Sequence, residues 1–219
     1  MISLYYIPNW FFTTSIVFEI IFAVVTALVA FLSFRVYNLS KQNEFRLFGL
    51  GFTFISLSYI IWSLINLFLL DQLNESIKVL SFQQFVSLGA LGIYFYMLLF
   101  IVGLVTLNYT TLKEKNKSIY IIILLTSLVG IVTSFNKGFT FQILSSILLA
   151  FLLVHFASQV KRNKNIKSVL VFVAFLSLVV SHIIFIFSTT QYVYYVAGHI
   201  FELIAYILIL LRLSIIIIK

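Results

Sequence analysis

A chain of 219 residues that is 63% hydrophobic and 9% charged cannot cover itself with a polar surface, so lipid must solvate its outside and a soluble domain is excluded. The net charge of +8 would suit nucleic acid, but the basic residues lie in short connections between apolar stretches. Membrane topogenesis and anionic lipid headgroups account for them there, and no nucleic-acid partner is expected.

The segment Met1 to Asn9 has no basic n-region, and the apolar stretch after it is too long for a signal-peptide core, so it is expected to stay as the first helix. Seven hydrophobic stretches follow in order: Trp10 to Phe34, Leu47 to Leu70, Ser81 to Leu107, Ile119 to Phe135, Gly138 to Val160, Ser168 to Ser188 and Tyr192 to Ile218. Each has about the 17 to 25 residues that cross a hydrocarbon core roughly 30 Å thick. The expected fold is an all-α integral membrane protein, a single seven-helix transmembrane domain over residues 1–219.

The basic residues set its orientation. Arg35, Lys41 and Arg46 fall in the first connection, Lys113, Lys115 and Lys117 in the third, Lys161, Arg162, Lys164 and Lys167 in the fifth, and Arg212 and Lys219 at the C-terminus. Only Lys78 and Lys137 lie on the other side. The positive-inside rule then places the N-terminus outside and the C-terminus in the cytoplasm of a multi-pass protein of the cell membrane. Tyr5, Tyr6 and Trp10 before the first span, and Tyr192, Tyr194 and Tyr195 entering the last, mark the outer interface. Asn74-Glu75-Ser76 forms an outward-facing glycosylation sequon of low specificity.

Membrane helices associate through small and hydrogen-bonding residues that share a face. Such stripes run through Ser15, Glu19, Thr26 and Ser33 in the first span, and through Gly49, Thr53, Ser56, Tyr59, Ser63 and Asn66 in the second. The third offers Gln83, Ser87 and Tyr94, the fourth Ser127, Gly130 and Ser134, the fifth Gln142, Ser145 and Ser146. The seventh carries Tyr195, His199, Glu202 and Tyr206 at steps of four, three and four. All are expected to line the bundle interior, where serine, threonine and glycine ordinarily serve packing.

Sliding the chain on itself by 123 residues lays Phe18-Glu19-Ile20-Ile21 on Phe141-Gln142-Ile143-Leu144 and Ser58-Tyr59-Ile60-Ile61 on Ser181-His182-Ile183-Ile184. A shorter second loop sets Tyr96-Met97-Leu98-Leu99 on Tyr206-Ile207-Leu208-Ile209, pairing spans one to three with spans five to seven. Parallel three-helix repeats joined by one inverting helix are a known architecture. In topology and length the chain resembles the SWEET and PQ-loop transporters and, more distantly, the microbial rhodopsins. It lacks the PQ-loop pair, since Pro8 is the only proline, and the only lysine in or beyond the last stretch is the terminal Lys219, so no retinal Schiff base is expected.

Four ionisable residues agree in depth. At about 1.5 Å per residue, Glu19 lies roughly 13 Å below the outer interface, His182 and His199 about 10 Å, and Glu202 about 15 Å. A charge near the bilayer centre costs at least about 2.5 kcal/mol, so such residues are usually functional or paired. The residues expected to form the site are Glu19, Tyr59, His182, Tyr195, His199, Glu202 and Tyr206.

Three readings of the site remain open. His182, His199, Glu202 and Glu19 supply the nitrogen and oxygen donors of a divalent metal such as zinc. His182 and His199 supply one imidazole from each of two adjacent helices, as axial haem ligation requires. Alternatively, histidine and carboxylate bond each other and nearby Tyr195, Tyr206 or Ser181, forming a small-ligand or proton site or simple packing. His155 sits near the cytoplasmic end and is not expected to be a ligand.

No catalytic residue stands out. Seven-helix membrane hydrolases use a His-x-x-x-His pair that is absent here, and a stripe of serines defines no triad. The expected function is a non-enzymatic receptor or sensor with its site in the outer half. The alternatives are a 3+1+3 small-solute transporter, which the shortage of helix breakers within the spans opposes, and a haem- or metal-binding accessory subunit of a membrane complex. The expected partners are the lipid bilayer and a second membrane protein or another copy of the chain.

Overall fold

The computed structural model describes residues 9–74, 82–112, 116–188 and 191–217. They form seven α-helices and no strand: α1 (Asn9–Ser40), α2 (Asn43–Asn74), α3 (Phe82–Thr111), α4 (Lys117–Thr133), α5 (Lys137–Asn163), α6 (Ile166–Phe187) and α7 (Tyr192–Ile217). Six of them are long and apolar enough to cross a membrane; α4, with 17 residues, is the short one. This is a membrane protein.

The helix boundaries have local causes. Asn116, Asn136 and Asn165 precede α4, α5 and α6, and their side chains accept from the backbone N–H groups of Ser118, Phe139 and Lys167. An N-cap asparagine satisfies a donor that has no partner within the helix. At the other ends, Lys41 and Lys164 adopt left-handed backbone angles (φ 57° and 44°) and donate to Tyr37 and Val160 carbonyls, closing α1 and α5. The first connection is consequently tighter than its charges suggest. Arg35 and Arg46, expected in a loop, lie on α1 and α2, and only Lys41 and Gln42 separate the two helices.

The pairings fix the direction of each helix. Phe34 faces Gly49 while Glu19 bonds Asn66, so α1 and α2 are antiparallel. Gly51 meets Leu107 while Gly92 meets Ile65, so α2 and α3 are antiparallel as well. Tyr96 and Phe100 pack on Phe141 while Asn108 donates to the Leu148 carbonyl, which makes α3 and α5 parallel. The chain must therefore run back along the bundle in α4, whose Tyr120 packs on Tyr109 near the end of α3. The start of α5 returns beside the earlier part of α3, with the Lys137 ammonium 5.8 Å from the Tyr94 ring centroid. Seventeen residues at about 1.5 Å each cover roughly 26 Å, enough for that traverse.

The helices form a ring in which α1 packs on α2, α2 on α3, α3 on α5, α5 on α6, α6 on α7 and α7 on α1. Helix α4 lies outside it against α3 and α5. Phe22, Phe52, Phe100, Phe141, Phe175 and Tyr206 are fully buried in the core, whereas Val24, Phe31, Leu64, Ile122, Phe151 and Val154 point outward, as a lipid-facing surface requires.

The alternating directions sort the charges by end. Arg35, Lys41, Arg46, Lys117, Lys161, Arg162, Lys164, Lys167 and Arg212 lie toward one end, here called the basic end; Lys137 lies at the other. Lys78, Lys113, Lys115, Lys219, Tyr5, Tyr6 and the Glu75 and Ser76 positions of the sequon fall outside the described residues.

Most polar stripes face inward as expected. Ser15, Glu19, Thr26 and Ser33 are buried, and so are Ser56, Tyr59, Ser63 and Asn66. Many hydroxyls bond carbonyls one turn back, Thr26 to Phe22 and Ser33 to Val29, while Ser56 reaches across to the Ala23 carbonyl. The third stripe is corrected at Ser87, which is exposed; Tyr94 is half-buried, the Gln83 side chain lies outside the described residues, and the buried polar side chains of α3 among those described are Thr106 and Asn108, nearer its C-terminal end. Gly49, Gly51 and Gly92 allow close helix approach, since a Cβ on Gly51 would stand 2.8 Å from Leu107 and one on Gly92 2.7 Å from Ile65.

Candidate functional site: a polar cluster inside the bundle

The seven residues expected to form the site are all buried, none more than 8% exposed; Glu19, His182, Tyr195 and His199 lie in the half of the bundle away from the basic end, and Tyr59, Glu202 and Tyr206 near the middle of their helices. They do not converge on one point. They form three adjoining sets separated by aromatic rings.

The first set joins α2 to α7. Tyr59 donates its phenol hydrogen to Glu202 Oε1, Tyr206 donates to the same oxygen over 3.4 Å, and the two phenol oxygens lie 3.0 Å apart. Steps of four residues on α7 place Glu202 and Tyr206 on one face.

The second set joins α1 to α2. Asn66 Nδ2 lies 3.2 Å and 3.0 Å from the two Glu19 carboxyl oxygens, and the Trp62 side chain donates to the same group. Glu202 is close enough to act electrostatically on Glu19. Neither carboxyl group has a cationic partner among the described residues. Their partners are neutral donors only, an expensive arrangement for a charge in a low-dielectric interior.

The third set joins α5 to α6. His182 Nδ1–H donates to Gln142 Oε1 over 2.6 Å, so Nε2 becomes the lone-pair nitrogen, and it is buried with no hydrogen-bond partner. His199, on α7, belongs to none of the three sets: it donates from Nδ1 to the Tyr195 carbonyl one turn back (3.0 Å).

Aromatic rings hold these sets apart. Phe22 packs against Tyr59, Tyr206 and His199 at centroid distances of 5.4, 5.6 and 5.9 Å. Phe185 packs edge-on against both His199 (5.1 Å) and His182 (6.2 Å). It also abuts Gly198, where a Cβ would approach its ring to 2.6 Å. The two imidazoles thus share a phenylalanine as neighbour, and among the described residues no three or more histidine or acidic side chains gather at metal-binding distance.

Sequence reasoning paired Glu202 with Tyr206 and placed Glu19 near Glu202. It assigned no role in the site to Asn66, Trp62, Gln142, Phe22 or Phe185. Asn66 and Gln142 were visible as the most polar members of their stripes. Phe22 and Phe185 carried no signal, because 25 phenylalanines make any one of them anonymous. Ser181, a proposed histidine partner, instead donates to the Gly198 carbonyl (2.9 Å).

Compared with protein-family models, with curated proteins and with solved structures, the chain matches none.

Proposed function

We propose that the protein is a proton-responsive membrane sensor whose element is the Glu19 and Glu202 cluster at the seam of α1, α2 and α7. The observation that carries this reading is two buried carboxyl groups held only by neutral hydrogen-bond donors. A carboxyl without a fixed counter-charge changes its hydrogen bonding whenever it gains or loses a proton, because the ionised group only accepts while the neutral one also donates. Tyr59, Tyr206, Asn66 and Trp62 sit on two different helices, so such a change biases how α2 and α7 pack. Both carboxyl groups, Tyr59, Tyr206 and Asn66 are buried and Trp62 is half-buried, so a proton needs less rearrangement to enter than a solute does.

In this reading the cluster faces outside. The basic end lies in the cytoplasm by the positive-inside rule, and all seven helices cross, the 17-residue α4 with local thinning of the bilayer. With no output domain in the short connections, a signal leaves through a second membrane protein or another copy of the chain at the basic end.

A 3+1+3 transporter is the second reading, and one specific observation favours it. Exchanging α1, α2 and α3 with α5, α6 and α7 maps the α1 contact with α7 onto the α3 contact with α5. Burial follows the same register: Glu19 and Gln142, Phe52 and Phe175, Ser58 and Ser181, and Tyr59 and His182 are pairwise buried.

Trp62 offers a test, since it donates to Glu19. In a Trp10→Phe background, Trp62 is the only tryptophan, and its emission in lipid nanodiscs should change reversibly with pH. Glu19→Gln should abolish the change. A pH-independent emission, or one that Glu19→Gln leaves intact, overturns the sensor reading; proton or solute flux in proteoliposomes would favour the transporter.

A further inference from the structure

A second polar feature lies at the opposite end of the bundle. A cleft of about 90 Å³ is lined by Glu44 and Phe48 of α2, Thr110 and Thr111 of α3, His155 and Gln159 of α5, and Arg212 of α7 among others. That is room for several waters or one small oxyanion.

Arg212 is the unusual member. Its Nε is enclosed and has no hydrogen-bond partner, and no acidic group acts on the guanidinium among the described residues. A guanidinium carries five N–H donors in a planar fork that matches phosphate or carboxylate oxygens, and leaving it unmatched in a partly desolvated place is costly. The one carboxylate in the lining, Glu44, is exposed at the rim in the first turn of α2, where the helix dipole favours its charge, and it forms no ion pair with Arg212.

The surroundings favour an anion. Arg35, Lys41, Arg46, Lys161, Arg162 and Lys164 lie toward the same end of the bundle. Gln159 Nε2 uses one hydrogen on the His155 ring (2.9 Å), which leaves its second amide hydrogen for another acceptor. Arg212 is five residues before the end of α7, roughly 7 Å inside it. In a bilayer with a hydrocarbon core roughly 30 Å thick, a spanning helix of this length would hold that position near the boundary with the headgroups, where phosphate groups are found.

We propose that this cleft binds a phosphoryl group through the Arg212 guanidinium, with Gln159 as a second donor. The chemistry is shared by an anionic phospholipid headgroup and by free phosphate, and its position at the interface makes both accessible. The site is distinct from the carboxyl cluster and does not depend on the sensor reading.

Thermal unfolding in detergent tests it with two probes added separately: phosphatidylglycerol in mixed micelles, and inorganic phosphate. Phosphatidylcholine and chloride at equal ionic strength serve as controls. Wild type should be stabilised by at least one probe beyond its control, and Arg212→Gln should weaken that apparent affinity roughly tenfold or more. Arg212→Lys keeps the charge without the fork and should fall between them. Arg46→Gln, which removes an exposed charge at the same end, should bind as wild type does. Stabilisation by the lipid alone assigns the site to a headgroup, and stabilisation by inorganic phosphate as well assigns it to free phosphate. No stabilisation by either probe, or equal loss in Arg46→Gln and Arg212→Gln, overturns the proposal. If Arg212→Gln fails to fold, the comparison of Arg212→Lys with Arg46→Gln decides.

Discussion

Tyr59 on α2 donates its phenol hydrogen to Glu202 on α7, joining two helices 143 residues apart in sequence and not adjacent in the ring. Tyr206 shares the same carboxyl oxygen at 3.4 Å, a weak distance for such a bond. The two phenols should therefore contribute unequally. Tyr59→Phe should lower the free energy of unfolding in mixed micelles by about 1 to 2 kcal/mol. Tyr206→Phe should cost less, and the reverse order would mean that Tyr206 is the principal partner of Glu202.

A close approach of α2 and α3 gives a packing prediction. A Cβ on Gly103 would stand 2.6 Å from the Ile55 side chain and 2.7 Å from the Gly51 carbonyl oxygen. Since that oxygen is backbone and cannot rotate away, Gly103→Ala should destabilise by about 1 to 3 kcal/mol. Gly130 on α4 has nothing within 4 Å of the same position, and Gly130→Ala should be neutral or stabilising by up to about 1 kcal/mol. Equal effects at the two sites would contradict the close contact of α2 and α3.

These two glycines also show what the sequence could and could not convey. Gly130 lay in a legible stripe, Gly103 did not, and the structure gives the close contact to Gly103. Helix number and spacing were readable because hydrocarbon thickness imposes a length on every span. Tyr206 beside Glu202 was readable because helical periodicity fixes which residues share a face. The reach from Tyr59 to Glu202, the pairing of Glu19 with Asn66 rather than a cation, and Phe185 between the two histidines depend on helix order and rotation. Those are set by packing among many interchangeable apolar residues, and composition carries little of that information. The short connection at Lys41 was hidden for a different reason, because Arg35 and Arg46 read as loop residues although charged residues continue a helix readily beyond the membrane.

Orientation follows from charge and is tested by single-cysteine labelling, which the cysteine-free chain makes direct. Cysteines at Asn74 and Asn136 should react with an impermeant reagent from outside, and ones at Asn116 and Asn163 only after the membrane is opened. Labelling of Asn116 and Asn136 from the same side would mean that α4 does not cross.

Glutamine at position 142 bridges α5 to His182. Gln142→Leu should leave both nitrogens of that buried imidazole without a partner and cost about 1 to 3 kcal/mol. Replacing both residues with apolar side chains of similar size should recover much of the loss. If the double variant is as unstable as the single one, the bond contributes little beyond its packing.

The central claim is that Glu19 and Glu202 exchange protons inside the bundle. Infrared difference spectra of the protein in lipid nanodiscs, recorded between acidic and alkaline buffer, report buried carboxylic acid carbonyl groups directly. The account predicts two such bands, one absent in Glu19→Gln and the other in Glu202→Gln, each shifted when Asn66 or Tyr59 is replaced. Difference spectra that neither glutamine variant alters would show that these carboxyl groups do not titrate, and would contradict the account.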